Sequence, residues 1–298
     1  MLDEEGEGVR ILHVSDGWAP RSGVATVARL LADEQRSAGH VVDCRRWVSV
    51  SELRAADEVW IHCGWKPCLW WAAWWAKRVL WVPHGCYDPV RLGFRGWKKV
   101  LAGPFERCAL RRSERILGTC EAETGWVKRY LGARCPEVGV TDLCRFFRLD
   151  QSPSAKALSR PVHVLYLGRR HPLKGVERLE RAVSEVNRTS ECSNARIIDL
   201  RIVSDALGEE KEKVWAWCDV LCLPTLSENF GLVVAEALER GKRVVVTDGA
   251  PAWNPDGGAE TVGRGYGGRL VYLRGYRDGD EGTRVELLKA GLAACCTA

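Results

Sequence analysis

Two series of apolar, β-branched runs alternate with helix-like segments along this chain, and a polar stretch separates them. The first series holds "VRILHVS", "EVWIHC", "RVLWVPH" and "RILGTC", with helical stretches at residues 23–38, 67–77, 97–113 and 121–131. The second holds "VHVLYLG", "IIDLRIVS", "DVLCLP" and "RVVVTD", with helices from about 175, near 209–217 and from 231. Strands apolar on both sides belong to parallel sheets covered by helices on both faces. Between the series, around residues 146–160, "FFRLDQSPSAKALSRP" reads as a linker with two prolines. The expected architecture is α/β, two Rossmann-like doubly wound domains at 1–150 and 151–298 that face a cleft. Ligands of such sheets bind beyond the carboxyl ends of the strands, so chemistry is sought there.

Length and composition agree with this reading. A chain of 298 residues, 46% apolar and 28% charged, is long enough for two globular domains. The acidic start "MLDEEGEGVR" is unlike a secretory signal, and "PCLWWAAWWA" is too short to span a bilayer. The thirteen cysteines are odd in number and form no C-x-x-C. They read as buried free thiols in a reducing, cytoplasmic setting. His62, Cys63 and Cys68 match no common zinc spacing, and no metal is expected. Cys295 stands where a prenylation box would have its cysteine, but "CCTA" is a poor box and reads as chance.

Charge is local. The whole chain carries +5, whereas residues 91–115, "RLGFRGWKKVLAGPFERCALRRSER", carry +6 by themselves. Such a patch faces anionic lipid, nucleic acid or only water. Of these, residues 91–115 point to peripheral contact with the inner face of a membrane, and no nucleic-acid partner is expected. Trp70, Trp71, Trp74 and Trp75 share one side of a helix, with Ala72, Ala73 and Ala76 opposite. Those indoles either pack within the domain or form an aromatic surface for a membrane or partner.

The strand ends hold the candidate site. After the first strand, Ser22-Gly23 opens a helix, where a glycine lets backbone N–H groups approach an anion. His84 follows "RVLWVP" beside a glycine. Arg169 and Lys174 follow "VHVLYLG" and precede a helix, two cations where a diphosphate would lie. Next comes "LPTLSENFGLVVAEALERGKRVVVTDGAP", residues 223–251. Its helix is expected near Phe230 or Gly231, whose amides are then free for a phosphate or a sugar hydroxyl. Glu228 precedes that helix with Asn229, and Glu236 lies nearly two turns in, between Ala235 and Ala237. Two spaced carboxylates suit a polyhydroxylated ligand; the plain alternative is a helix-start acid and a solvated one.

"SENFGLVVAEALERGKRVVVTDGAP" resembles the E-x7-E signature of the family 4 retaining glycosyltransferases, which have the GT-B fold. "ILHVSDGWAPRSGVATVARLLADEQRSAGHVV" resembles that family's first strand, glycine loop and helix. "VPHGCYDP" resembles its His-Gly segment, and "LGRRHPLKG" its diphosphate site. The resemblance implies that Glu228 contacts the donor sugar and Glu236 the ribose. It assigns the diphosphate to Arg169 and Lys174, and the transferred sugar to His84. Gly23, Asn229, Phe230 and Gly231 join the donor site. Two departures stand out: Ser22 replaces the first glycine of the loop, and "VSDALGEEKEK" shortens the stretch that normally helps hold the nucleotide base.

The function implied is retaining, metal-independent sugar transfer from a nucleotide-diphosphate sugar to a glycan or lipid-linked acceptor. No cofactor is implied beyond that donor substrate. The alternative is a shortened, non-catalytic GT-B protein that binds a nucleotide sugar or a partner. A GT-A enzyme using "DGD" at 278–280 as a metal site fits poorly, because those residues follow both sheet series.

Overall fold

The computed structural model describes residues 8–20, 22–94, 96–149, 158–193, 197–204, 206–255, 262–266 and 269–296. Most of the expected linker, residues 150–157, and the first seven residues lie outside these, as do the last two of "CCTA". The chain divides into two units, Met1–Leu143 and Cys144–Ala298.

The first unit runs β1 (Arg10–Ser15), α1 (Gly23–Ser37), β2 (Val41–Arg45), α2 (Val50–Ala55), β3 (Glu58–His62), α3 (Pro67–Trp75), β4 (Val79–Val82), α4 (Pro89–Gly93), α5 (Gly96–Leu110), β5 (Arg115–Gly118), α6 (Glu121–Leu131) and β6 (Glu137–Val140). Its six strands are parallel, in the order β2-β1-β3-β4-β5-β6. Leu12, Val14, Val59, Ile61, Val79, Trp81 and Ile116 are buried in the core cluster of this unit. β2 and β6, unread in the sequence, are edge strands. An edge strand is covered on fewer sides, and their mixed burial breaks the continuous apolar run that marks an interior strand.

In α3, Leu69, Ala72 and Ala73 face the core, while Trp71 is 49% and Trp74 53% exposed. The indoles divide: Trp70 and Trp75 are half-buried and pack against the core cluster, whereas Trp71 and Trp74 face outward. Trp97, Val100, Leu101 and Phe105 of the packed neighbour α5 are more exposed still. The arginines of the basic segment are largely occupied. Arg107 and Arg111 donate to the carbonyls of Tyr130 and Leu131, Arg112 donates to that of Ala73, and Arg115 pairs with Glu137 at 3.0 Å. The exposed character of this face is therefore more aromatic than its composition implies. No described helix is long and apolar enough to cross a membrane.

The second unit runs β7 (Val162–Leu167), α7 (Val176–Ser193), β8 (Ile198–Val203), α8 (Gly208–Trp217), β9 (Val220–Leu223), α9 (Leu232–Glu239), β10 (Arg243–Thr247), β11 (Val262–Gly265), β12 (Leu270–Leu273) and α10 (Glu281–Cys296). The strand order is β11-β12-β10-β9-β7-β8, parallel except for β11. α10, also unread, buries Val285, Leu288, Leu292 and Cys295 at helical spacing against α7, β10 and β12. Asp280 accepts from Thr283 N at 2.7 Å and so starts α10. That is its role in "DGD"; among the described residues no group of acids, histidines and cysteines could hold a metal ion.

Candidate active site

In the second sheet the chain runs from β7 outward to β8, then returns to place β9 on the other flank of β7. The carboxyl ends of β7 and β9 are thus the switch point, where such sheets bind ligands. The loops at both ends are tied together. Leu226 N donates to Leu173 O at 2.7 Å, and Thr225 Oγ1 to the same carbonyl at 3.1 Å. Gly175 closes the first loop in the left-handed region, at φ 66°, and a Cβ there would lie 2.2 Å from Pro224 O. Only glycine permits that approach.

Lys174, at the end of a short 3-10 turn, is carried by this loop to the second one. Its Nζ donates to Glu228 Oε2 and lies 3.4 Å from Ser227 O. Glu228 is anchored through its own amide, which donates to Gly249 O at 2.7 Å, so the loop after β10 joins the same knot. Asn229 is buried, and its Oδ1 has no hydrogen-bond partner among the described residues. A buried amide oxygen left bare is costly unless a ligand donates to it.

Arg169 is exposed just past β7, and its guanidinium forms no ion pair among the described residues. Burial, followed by the nearby Glu228 charge, pushes the Tyr166 phenol well up, and Arg169 acts on it in the opposite sense. One phenol therefore senses both groups.

α9 begins at Leu232, with Gly231 before it at φ 70° and ψ 67°. This left-handed residue turns the chain so that the helix's first N–H groups, which lack intrahelical acceptors, open toward the loop. The Phe230 ring is buried between Phe147 and Trp253, at centroid distances of 6.2 and 5.1 Å. Phe230 therefore fixes the loop by its side chain and by its carbonyl, which accepts from Trp253 Nε1, and leaves its backbone N–H for a ligand. Glu236 faces Lys211 of α8, with Nζ 2.8 Å from one carboxylate oxygen and 2.7 Å from the other. Lys211 escaped the sequence reading because nothing local marks it: it lies in the shortened "VSDALGEEKEK", 25 residues from its partner.

In the first unit, His84 stands two residues beyond β4 with φ +54°, a left-handed conformation that costs a non-glycine residue about 1–2 kcal/mol. The following Gly85 continues it at φ +77°, and its amide donates to the buried Glu123 of α6. Glu123 also accepts from Thr119 N at 2.8 Å. The strain is thus held by a carboxylate absent from every motif in the sequence. Burial, with a smaller contribution from the Arg91 charge, depresses the His84 imidazole to about 3, so the ring is neutral at pH 7. Its Nε2 lies 2.9 Å from His62 Nδ1.

Gly23 is the first residue of α1, and Ser22 is its cap, accepting from Ala25 N at 3.3 Å. The serine thus satisfies one of the amides that an anion would use there. The Cys63 and Cys86 thiols touch at 3.2 Å, and both are free.

Residues 161–271, within the second unit, match the sequence model of the family described as glycosyl transferases group 1. No curated protein matches the chain closely enough to count as a relative. Among solved structures, sucrose-phosphate synthase from Thermosynechococcus elongatus superposes with a TM-score of 0.64 at 15% identity, over 97% of this chain and 92% of that one. The α,α-trehalose 6-phosphate synthase from Burkholderia multivorans gives 0.63 at 11% identity, over 97% and 91%. Anabaena Alr3699/HepE, solved in complex with UDP-glucose, gives 0.54 at 14% identity, over 96% and 94%. At such identities the likeness speaks to fold alone. The chain has the GT-B fold, two parallel-sheet Rossmann-like units, and it is within the second of these that residues 161–271 are similar to group 1 glycosyltransferases.

Proposed function

We propose that the protein is a retaining glycosyltransferase that moves a sugar from a nucleotide-diphosphate sugar to a glycan or lipid-linked acceptor without a metal ion. One observation carries this reading. At the β7/β9 switch point, Lys174, Glu228, the bare Asn229 Oδ1 and the amino end of α9 converge, with the exposed Arg169 beside them. Breaking the glycosidic bond puts negative charge on the departing diphosphate. Arg169, Lys174 and the N–H groups opening α9 are cationic or dipolar groups suited to stabilise it, the task a metal ion performs elsewhere.

In this reading Glu228 binds hydroxyls of the transferred sugar and Glu236 those of the ribose, while His84 meets the transferred sugar. The acceptor hydroxyl attacks the anomeric carbon from the face that the diphosphate leaves. The bond from that carbon to the diphosphate oxygen breaks, the bond to the acceptor oxygen forms, and the acceptor proton passes to a donor phosphate oxygen. The group 1 domain match supports a nucleotide-sugar donor, as does the UDP-glucose bound by the Anabaena protein.

The lipid-linked alternative for the acceptor draws support from the first unit. Trp71 and Trp74 of α3 and Trp97, Val100, Leu101 and Phe105 of α5 are exposed, with Lys98 over the Trp97 ring at 5.3 Å. Aromatic groups interleaved with cations suit the interface of an anionic membrane, at whose cytoplasmic face we locate the enzyme.

A second reading is favoured by the Lys211–Glu236 pair. A carboxylate already matched to a lysine has less to offer a ribose, as in a nucleotide-sugar-binding protein without turnover. One experiment separates the two. Purified protein is screened by thermal shift against uridine, guanosine and adenosine diphosphates and their sugars, where ligand at a hundred times Kd adds about 2.7 kcal/mol of stability. The stabilising donor is then incubated with acceptor after exhaustive EDTA treatment, and the product's anomeric coupling is read by NMR. Retention without metal supports the transferase; an inverted product or complete metal dependence sinks it. Binding with no turnover of any donor selects the second reading.

A further inference from the structure

Three imidazoles run in single file across the carboxyl side of the first sheet. His84 Nε2 lies 2.9 Å from His62 Nδ1, and His62 Nε2 lies 2.8 Å from His13 Nδ1. His13 Nε2 lies 2.7 Å from Oε1 of Gln35, on α1. The histidines come from or just beyond β4, β3 and β1, which are adjacent in the sheet. The rings are joined end to end through their nitrogens, with centroids 5.0 Å apart and planes 15° apart between His13 and His62, 5.2 Å and 33° between His62 and His84, and His13 also stacks on Trp60. His13 and His62 are wholly buried, and His84 nearly so.

Burial keeps all three neutral at pH 7. It lowers His13 to about 4 and His84 to about 3, and holds His62 well below the ordinary value. The charges that face the file add to this: Arg36 acts on His13 and Arg91 on His84, while His62 senses only its two neighbours.

A neutral imidazole donates through one nitrogen and accepts through the other. Each nitrogen–nitrogen contact holds one hydrogen, so a file of neutral rings has two arrangements only, all pointing one way or all the other. Reversing a single ring would set two N–H groups, or two lone pairs, against each other in a buried place. The end group therefore chooses. A carboxamide oxygen accepts, so His13 donates from Nε2, His62 donates from Nε2 to His13 Nδ1, and His84 donates from Nε2 to His62 Nδ1. That leaves a lone pair on His84 Nδ1, which has no hydrogen-bond partner among the described residues.

We propose that Gln35, His13 and His62 are positioning residues that fix the tautomer of His84, so that His84 Nδ1 presents an acceptor to a hydroxyl of the transferred sugar. The sugar rests on the proposed transferase function; the tautomer does not. The device also explains why three polar rings are buried together: each satisfies its neighbour, and the outermost meets a side chain on the half-buried face of α1.

The test reads protonation at each ring nitrogen. Protein with 15N-labelled histidine is examined at pH 7.5 by long-range proton–nitrogen correlation, with signals assigned by single His→Asn variants. In the natural protein His13, His62 and His84 are all expected to carry hydrogen on Nε2 and none on Nδ1. Gln35→Glu, which can only accept, keeps that pattern, and Gln35→Lys, which can only donate, reverses it at all three. Hydrogen on His84 Nδ1 in the natural protein overturns the proposal, as does a folded Gln35→Lys whose His84 is unchanged. Should the lysine variant not fold, Gln35→Leu replaces it: mixed tautomers at His84 support the proposal, and a pure Nε2–H form overturns it.

In a donor-turnover assay Gln35→Lys should lower kcat at least tenfold with unchanged affinity for nucleoside diphosphate, while Gln35→Glu retains activity. An active lysine variant with reversed tautomers would overturn the assignment of His84 Nδ1 to the sugar. Because the spectra are taken without substrate, a protein that shows the expected tautomers but transfers no sugar counts against the proposed function and not against the file.

Discussion

Lys174 Nζ donates a hydrogen bond to Glu228 Oε2, so a cation from the loop after β7 and a carboxylate from the loop after β9 form one largely buried ion pair. Removing one partner of such a pair costs more than the pair contributes, because the other charge stays behind in a poorly solvated place.

Lys174→Ala should therefore do two things where Arg169→Ala does one. Both should weaken nucleoside diphosphate binding by about 10- to 100-fold, the worth of a charge-assisted contact. Lys174→Ala should also lower stability by about 1–3 kcal/mol, whereas the exposed Arg169 should leave the melting temperature nearly unchanged. Calorimetric titration and urea melts measure the two effects. Unchanged affinity in both variants would remove the diphosphate from this loop.

Glu236 and Glu228 should separate kinetically. Glu236→Gln, far from the bond that breaks, should raise the donor KM about tenfold with little change in kcat, and Glu228→Gln should mainly lower kcat. Lys211→Met should follow Glu236→Gln, because Lys211 positions that carboxylate from α8. Steady-state kinetics with the donor varied decides it, and equal losses of kcat alone in all three variants contradict the division.

The aromatic face of α3 and α5 should bring the protein to anionic vesicles. Co-sedimentation with phosphatidylserine-containing liposomes is expected at low salt and should fall as salt rises. Trp97→Ser combined with Phe105→Ser should reduce it several-fold, since both side chains are mostly exposed and are not needed by the core. No pelleting at low salt would end the idea.

Acid should destabilise the first unit through its histidines. An unfolded imidazole titrates near 6.5, whereas His13 is depressed to about 4 and His84 to about 3 when folded, by burial first. Between these values the unfolded chain binds more protons, so stability is full above about pH 6.5 and is lost as pH falls toward 4. Each such group contributes about 1.4 kcal/mol per pH unit within that window. Urea melts from pH 6.5 to 4.5 should show this loss, and His13→Asn should make the slope shallower by about that amount. Identical slopes in the two proteins would contradict it.

The parallel-sheet architecture was legible because interior strands such as "VHVLYL" and "RVVVT" are apolar on both faces, which few other folds require. The placement of Lys174 and Glu228 in strand-end loops and of Glu236 within a helix was legible too, since each lies within a few residues of a glycine turn or a helix start whose spacing is local. β2 and β6 were not, because an edge strand needs no continuous apolar run. The partners were not legible either. Lys211 meets Glu236 across 25 residues, Gly85 meets Glu123 across 38, and His13 meets His62 across 49. Such contacts are set by which strands become neighbours and in what register. β1 pairs with β3 so that Ser15 stands opposite His62, which puts the side chain of His62 within reach of His13 two positions back. A slip of one residue would turn His62 to the other face of the sheet and break the file. The local pattern of apolar and polar residues set the strands, but their register, held by burial over the whole sheet, brought three distant histidines into one line.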